Sequence, residues 1–139
     1  MARRRRRKEE KDVAGRIIGI LFLLMAIAGG YMLFDMFRTV EVTKANIYGE
    51  WKQTTSPLVY WTFNMDGTAK SYTRENGSTE IRNQKTYTYV LDEETKTITL
   101  TTTRKDEEVT FKISSLSKIQ MHMLQNGVDF GQMTRANLF

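Results

Sequence analysis

Two hydropathy patterns divide the chain. From Ile17 to Phe34 the sequence IIGILFLLMAIAGGYMLF runs for 18 residues without a charge. From Tyr48 onward, apolar residues recur at every second position instead, in segments rich in Thr, Tyr, Val, Ile and Phe. The first pattern predicts a helix that is apolar on all sides, the second a series of half-buried strands.

The strand faces can be written down residue by residue. In TYTYVL, Tyr87, Tyr89 and Leu91 share one face, and Thr86, Thr88 and Val90 the other. In TITLTTT, Ile98 and Leu100 oppose Thr97, Thr99 and Thr101. VTFKI turns Val109, Phe111 and Ile113 inward; IQMHM turns Ile119, Met121 and Met123 inward and leaves Gln120 and His122 wet. LVYWTFNM sets Val59, Trp61 and Phe63 against Tyr60, Thr62 and Asn64. A period of two means one buried and one wet face, hence an antiparallel sheet.

Turn chemistry separates these segments. Met65-Asp66-Gly67, Glu75-Asn76-Gly77-Ser78 and Gln125-Asn126-Gly127 supply the positive φ angles of tight hairpins, and the polar runs DEETK (92–96) and RKDEE (104–108) supply two more connections. About eight strands in up-and-down order follow. Exposed edges favour closure of such a meander into a barrel. Gly49-Glu50-Trp51 opens the first strand, with Trp51 plugging one end. Trp51, Trp61, Phe63, Tyr87, Tyr89 and Phe111 form the predicted barrel core. Burial of Trp51, Trp61 and Phe63 removes on the order of 500 Å² from water, worth about 10 kcal/mol before entropy.

The apolar run is long enough to change the location of the whole chain. As a helix it spans roughly 27 Å, the thickness of a bilayer core. Arg3, Arg4, Arg5, Arg6, Arg7, Lys8 and Arg16 stand on its N-terminal side. By the positive-inside rule that side is cytoplasmic and the strand-rich part lies outside the cell membrane. The basic cluster is also suited to anionic headgroups. The same run fits a signal peptide cut after Ala26-Ile27-Ala28. Apolar character continues past that point through Tyr31, Met32, Leu33 and Phe34, which favours an anchor. Gly15-xxx-Gly19 and Ala26-xxx-Gly30 are small-residue pairs that permit a weak helix–helix homodimer. The expected layout is therefore a basic tail (1–16), a transmembrane helix (17–37), a stalk (38–47) and an extracytoplasmic barrel (48–139).

Charge and composition narrow the function. Residues 1–16 hold eight Lys or Arg against three acids, so the entire net charge of +5 sits in the tail. The remainder is neutral and has no net field for nucleic acid. The absence of cysteine removes disulfides, thiolate metal sites, a cysteine nucleophile and a lipid anchor on cysteine.

The order Gly49-x-Trp51, Trp61-Thr-Phe63-Asn-Met-Asp66-Gly67-Thr68, Tyr87-Thr-Tyr89, KTITL (96–100), Val109-x-Phe111-x-Ile113 and LSKIQMHML (116–124) resembles bacterial lipocalin-like domains over about residues 46–133. The resemblance implies a small exported β-barrel tethered to the envelope. Many such domains are lipoproteins, whereas this chain offers a helix in place of the lipid-bearing cysteine. Larger lipocalins hold a ligand inside; the bulky inward residues here predict a filled interior.

Residues able to do chemistry are few. His122 is the single histidine and is expected to be an inert surface group. No catalytic or phosphate-binding motif occurs. Asp92-Glu93-Glu94 and Asp106-Glu107-Glu108 would make a cation site only if both tips met at one barrel end. Asn76-Gly77-Ser78 fits a glycosylation acceptor, relevant only in a eukaryotic secretory host. Met65, Met121 and Met123 read as core filler, Leu138 and Phe139 as an apolar end folded back on the barrel. The threonine-rich outer faces are ordinary strand formers that also offer a flat surface for a partner. The expectation is a non-enzymatic binding or scaffolding protein of the cell envelope, without cofactor or metal. Its expected partners are the lipid bilayer and another envelope protein, not nucleic acid. Two alternatives are a carrier of a small apolar ligand and a secreted inhibitor or effector released by cleavage after Ala28.

Overall fold

The structure, a computed structural model, describes residues 2–56, 58–104 and 106–137, with the backbone alone for residues 2–14. The side chains of Arg3 to Arg7 and Lys8, read above as the topology signal, therefore lie outside the described residues, as do Leu138 and Phe139. The chain forms two compact units, residues 1–36 and 37–139.

The first unit is one helix, α1 (Ala2–Phe37). Helix therefore extends through the basic tail as well as the apolar run. Its 23-residue stretch Gly15–Phe37 is long and apolar enough to cross a bilayer, a property it shares with signal sequences. The large apolar side chains from Ile17 to Phe34, and that of Phe37, are all more than half exposed, whereas Met36 is partly covered. A helix apolar all round has the composition of a membrane span and of a signal sequence alike.

The second unit is a closed eight-stranded antiparallel barrel with neighbours in sequence order. Its strands are β1 (Gly49–Gln53), β2 (Val59–Phe63), β3 (Thr68–Thr73), β4 (Arg82–Asp92), β5 (Thr97–Thr102), β6 (Glu108–Leu116), β7 (Gln120–Gln125) and β8 (Val128–Arg135). Closure is made by β1 on β8, with Trp51 opposite Arg135 and Gln53 opposite Met133. The up-and-down meander expected from the alternation is thus the observed topology.

Consecutive strands reverse, so the β2–β3, β4–β5 and β6–β7 turns share one end and the remaining turns share the other. Asn126 and Gly127 both have positive φ, as a two-residue hairpin turn requires. The two acidic tips follow from the same alternation. Asp92-Glu93-Glu94 is at the first end and Asp106-Glu107-Glu108 at the second, so they cannot share a cation. Among the described residues, no group of three His, Asp or Glu is placed to hold a metal.

The inward face is mainly apolar; Ser71, opposite Trp61 and with its hydroxyl 3.3 Å from that of Tyr87, is a buried polar member. Trp51, Trp61, Phe63, Tyr87, Tyr89 and Phe111 are all buried, joined by Ile98, Leu100, Ile113, Leu116, Met121, Met123 and Met133. Met65 is different: it sits in the β2–β3 turn and is 53% exposed, because the alternation ends at Phe63. The stretch expected as a stalk is also packed. Thr43 caps a short helix, α2 (Lys44–Ile47), accepting from the Asn46 N–H at 3.3 Å. Val42 and Ile47 are buried in the barrel core, and the Val40 N–H donates to the Leu116 carbonyl at 2.9 Å.

Candidate functional site

The first barrel end is sealed by a compact polar lock. Trp51 Nε1 donates to the Ile47 carbonyl at 2.8 Å, which ties β1 to α2. The Arg135 guanidinium lies over the Trp51 ring, 4.3 Å from its centroid. Its three nitrogens donate to the carbonyls of Tyr48 (2.6 Å), Asn46 (2.8 Å) and Lys118 (2.8 Å). Burial pulls the Arg135 pKa down from its ordinary value. Gly49 has φ +118°, and a Cβ there would stand 2.8 Å from Arg135 Nη1. Gly-x-Trp in the sequence is therefore one half of this lock; Arg135, the other half, carries no local signal.

The barrel interior is filled by rings. Trp61 contacts Phe63, Tyr87, Phe111 and Phe130, with centroid distances of 6.4, 5.7, 6.4 and 6.3 Å. Phe111 and Phe130 meet at 4.6 Å. Phe130 carries no signal in the alternation of the sequence, because its position depends on a bulge. Trp61 Nε1 is buried with no hydrogen-bond partner among the described residues. A cavity of about 400 Å³ opens at the second end, lined by Gln84, Lys85, Thr86, Thr102, Thr103, Arg104 and Glu107. Its lining is polar and charged, unlike the apolar pocket a carrier of apolar ligands needs.

The outer wall of β1–β3 holds a second aromatic group. Tyr60 and Tyr72 point away from the core yet are buried, because their rings stack at 5.7 Å and 5°. Arg74 covers Tyr60 at 4.2 Å and pairs with Glu50 at 3.0 Å. Glu50 also accepts from the Tyr72 hydroxyl and, at 3.2 Å, from Asn137 Nδ2. Burial, followed by the hydrogen bond to Glu50, raises the Tyr72 pKa. Alternation places Tyr60 on the wet face, as observed; its mutual cover with Tyr72 depends on the register that sets the two opposite each other.

On the wall of β6–β8, His122 is not isolated. Its Nδ1 lies 2.6 Å from Ser114 Oγ and its Nε2 lies 2.9 Å from Asp129 Oδ1. Two bulges create this arrangement. In β6, Ser114 is the extra residue between the pairs Ile113–Met123 and Ser115–His122. In β8, the register steps from Met123–Gly131 to Leu124–Asp129 and leaves Phe130 unpaired. Phe130 then turns into the core and Asp129 turns out to His122. Bulges re-aim side chains in this way. No sequence pattern announces them, apart from Gly131, which has φ +131° and would bring a Cβ to 3.0 Å from Thr55 Oγ1.

Comparison with known proteins agrees with this geometry at the level of fold. No family model and no curated protein sequence matches the chain. Three solved structures are similar to it. A lipocalin-like protein from Bacteroides uniformis matches with TM-score 0.51 and 12% identity, over 65% of this chain and 98% of that one. Another Bacteroides uniformis protein matches with TM-score 0.53 and 21% identity, over 75% of this chain and 97% of its own. An uncharacterized protein from Bacteroides eggerthii matches with TM-score 0.53 and 13% identity, over 63% of this chain and 98% of that one. The second unit has the fold of a lipocalin-like barrel, preceded by an apolar helix.

Proposed function

We propose that this protein is a membrane-anchored binding or scaffolding protein of a bacterial cell envelope, acting through the outer surface of its barrel. The observation that carries the reading is the filled interior. Trp61 and its four ring neighbours occupy the space in which a carrier would hold its cargo. The helix Gly15–Phe37 supports the anchor, and the basic residues before it support an N-in orientation with the barrel outside. Its partners in this reading are the bilayer and a second envelope protein. The neutral barrel sequence gives no attraction to nucleic acid, and the function calls on no cofactor. A weak dimer through Gly15, Gly19, Ala26 and Gly30 belongs to the same proposal.

Crosslinking in intact cells, followed by recovery from solubilised membranes, tests the role. Specific partners should disappear when residues 48–139 are removed and the helix is kept. Partners that persist unchanged would assign the function to the helix or the tail instead.

One observation favours a second reading. The unpaired Trp61 Nε1–H would be satisfied by a small ligand that brings a hydrogen-bond acceptor into the barrel. Native mass spectrometry of protein from its own host should then show an adduct that Trp61→Phe loses.

A further inference from the structure

Ser114, His122 and Asp129 form a continuous hydrogen-bonded chain on the barrel wall, and its proton order follows from the partners. A carboxylate only accepts, so the ring proton of neutral His122 sits on Nε2 and is donated to Asp129. Nδ1 is then left as a lone pair, and the short 2.6 Å contact is Ser114 O–H donating to it. The weaker 3.3 Å contact to the His122 carbonyl uses the same hydroxyl proton and is secondary. A nucleophile bonded to a base, with that base oriented by a third group, is the arrangement that activates a serine. Recognition of such a chain rests on geometry and roles rather than on sequence position.

Each link depends on its own bulge, one in β6 and one in β8. All three groups stand at the surface: the His122 side chain is 33% exposed and that of Asp129 is 67% exposed. A reactant can therefore reach Ser114 without any opening of the barrel.

We propose that Ser114 is a nucleophile that accepts an acyl group from an activated ester, with His122 as its base and Asp129 as a positioning residue. Ser114 Oγ bonds to the ester carbonyl carbon while its proton passes to His122 Nδ1. The C–O bond to the leaving group then breaks, and the leaving alkoxide or phenolate carries away the electron pair and takes up a proton. Water attacks the acyl-serine in a second step, releasing the carboxylic acid and restoring the hydroxyl. The site lies on an open wall, so its substrates are esters with good leaving groups. This activity is separate from the binding role proposed above, and neither depends on the other.

The test uses the full chain in detergent micelles with p-nitrophenyl acetate. Nitrophenolate release and the acetylated residue are followed together, the latter by peptide mass spectrometry. Acetylation is expected at Ser114, with release at least about 10-fold above that of Ser114→Ala, the lower range for general-base assistance being about 100-fold. His122→Gln should remove the same excess. Asp129→Asn should slow acetylation without moving the thermal midpoint, and Asp129→Glu should restore part of the rate. Release unchanged in Ser114→Ala, acetyl groups confined to lysines, or Ser114 acetylation indifferent to His122 would each overturn the assignment. A thermal melt of every variant separates lost reactivity from a lost fold.

Discussion

The Arg135 guanidinium lies over the indole of Trp51, 4.3 Å from its centroid, although 84 positions in the chain separate them by their numbering. The contact fastens β8, the last strand, to β1, the first, at the point where the barrel closes. It also orders α2, because the same guanidinium holds the Tyr48 and Asn46 carbonyls while Trp51 Nε1 holds that of Ile47. A flat ion with donors along its edge can stack on a ring and bond three carbonyls at once. An ammonium group cannot.

Arg135→Ala should therefore destabilise the barrel by about 2–4 kcal/mol, through lost charge-assisted bonds and the uncovered indole. Arg135→Lys should recover less than half of that loss. Urea unfolding of the full chain in detergent, followed by tryptophan fluorescence, measures both. Wild-type stability in Arg135→Lys would show that charge alone suffices and that the lock is incidental.

Two methionine and phenylalanine positions separate interior from turn. Phe111 sits between Trp61 and Phe130, at 6.4 and 4.6 Å. Phe111→Ala should cost about 3–5 kcal/mol, since transfer and cavity effects add in a close-packed core. Met65→Ala should lie within about 0.5 kcal/mol of wild type, as expected for an exposed turn residue. The same unfolding measurement compares them directly. Equal losses would contradict the placement of Met65 outside the core.

These two positions also mark how far the sequence could be read. Period-two alternation sets the inward residues, and Asp-Gly and Asn-Gly set the turns, so the strands and their order follow from local chemistry. Trp51 and Gly49 were visible because Gly-x-Trp is contiguous. Arg135 was not, because its partner lies at the other end of the chain. The Ser114–His122–Asp129 chain was hidden for a different reason. Strict alternation leaves Ser114 and His122 as unrelated wet residues and gives Asp129 no relation to either. The two bulges that unite them obey no sequence rule beyond Gly131. Residues 38–47 looked like a stalk because they are few and mixed, whereas burial of Val42 and Ile47 depends on the barrel being there to receive them.

The Tyr72 hydroxyl supplies a pH signature. Its pKa is raised above the ordinary 10.0, first by burial and then by the hydrogen bond it donates to Glu50. An acid whose pKa is higher in the folded state stabilises the fold fully below its unfolded pKa. That stabilisation is lost as pH rises through the folded value. Tyr89 is shifted in the same direction, by burial and then by the charge of Asp66. The thermal midpoint should therefore fall on the alkaline side of about pH 10, and Tyr72→Phe should flatten part of that fall. Thermal melts between about pH 8 and about pH 12 check this. An identical alkaline slope in Tyr72→Phe would remove Tyr72 from the account.

The helix gives the prediction with the widest consequence. Apolar side chains continue from Ile17 through Phe34 to Phe37, and each of the large ones except Met36 is more than half exposed. Cleavage after Ala28 would leave Tyr31, Met32, Leu33, Phe34 and Phe37 at a new N-terminus, uncovered in water. An uncleaved anchor avoids that cost by keeping them in or beside lipid. Intact mass measured on protein from its own cells should show a chain that retains the apolar segment. The protein should also stay with membranes through an alkaline wash. Leu24→Arg, near the middle of the apolar segment, should shift the chain toward the soluble fraction. The insertion penalty for a central arginine is about 2.5–3.5 kcal/mol. A mature chain beginning at Gly29, free of the membrane pellet, would establish secretion and remove the anchor.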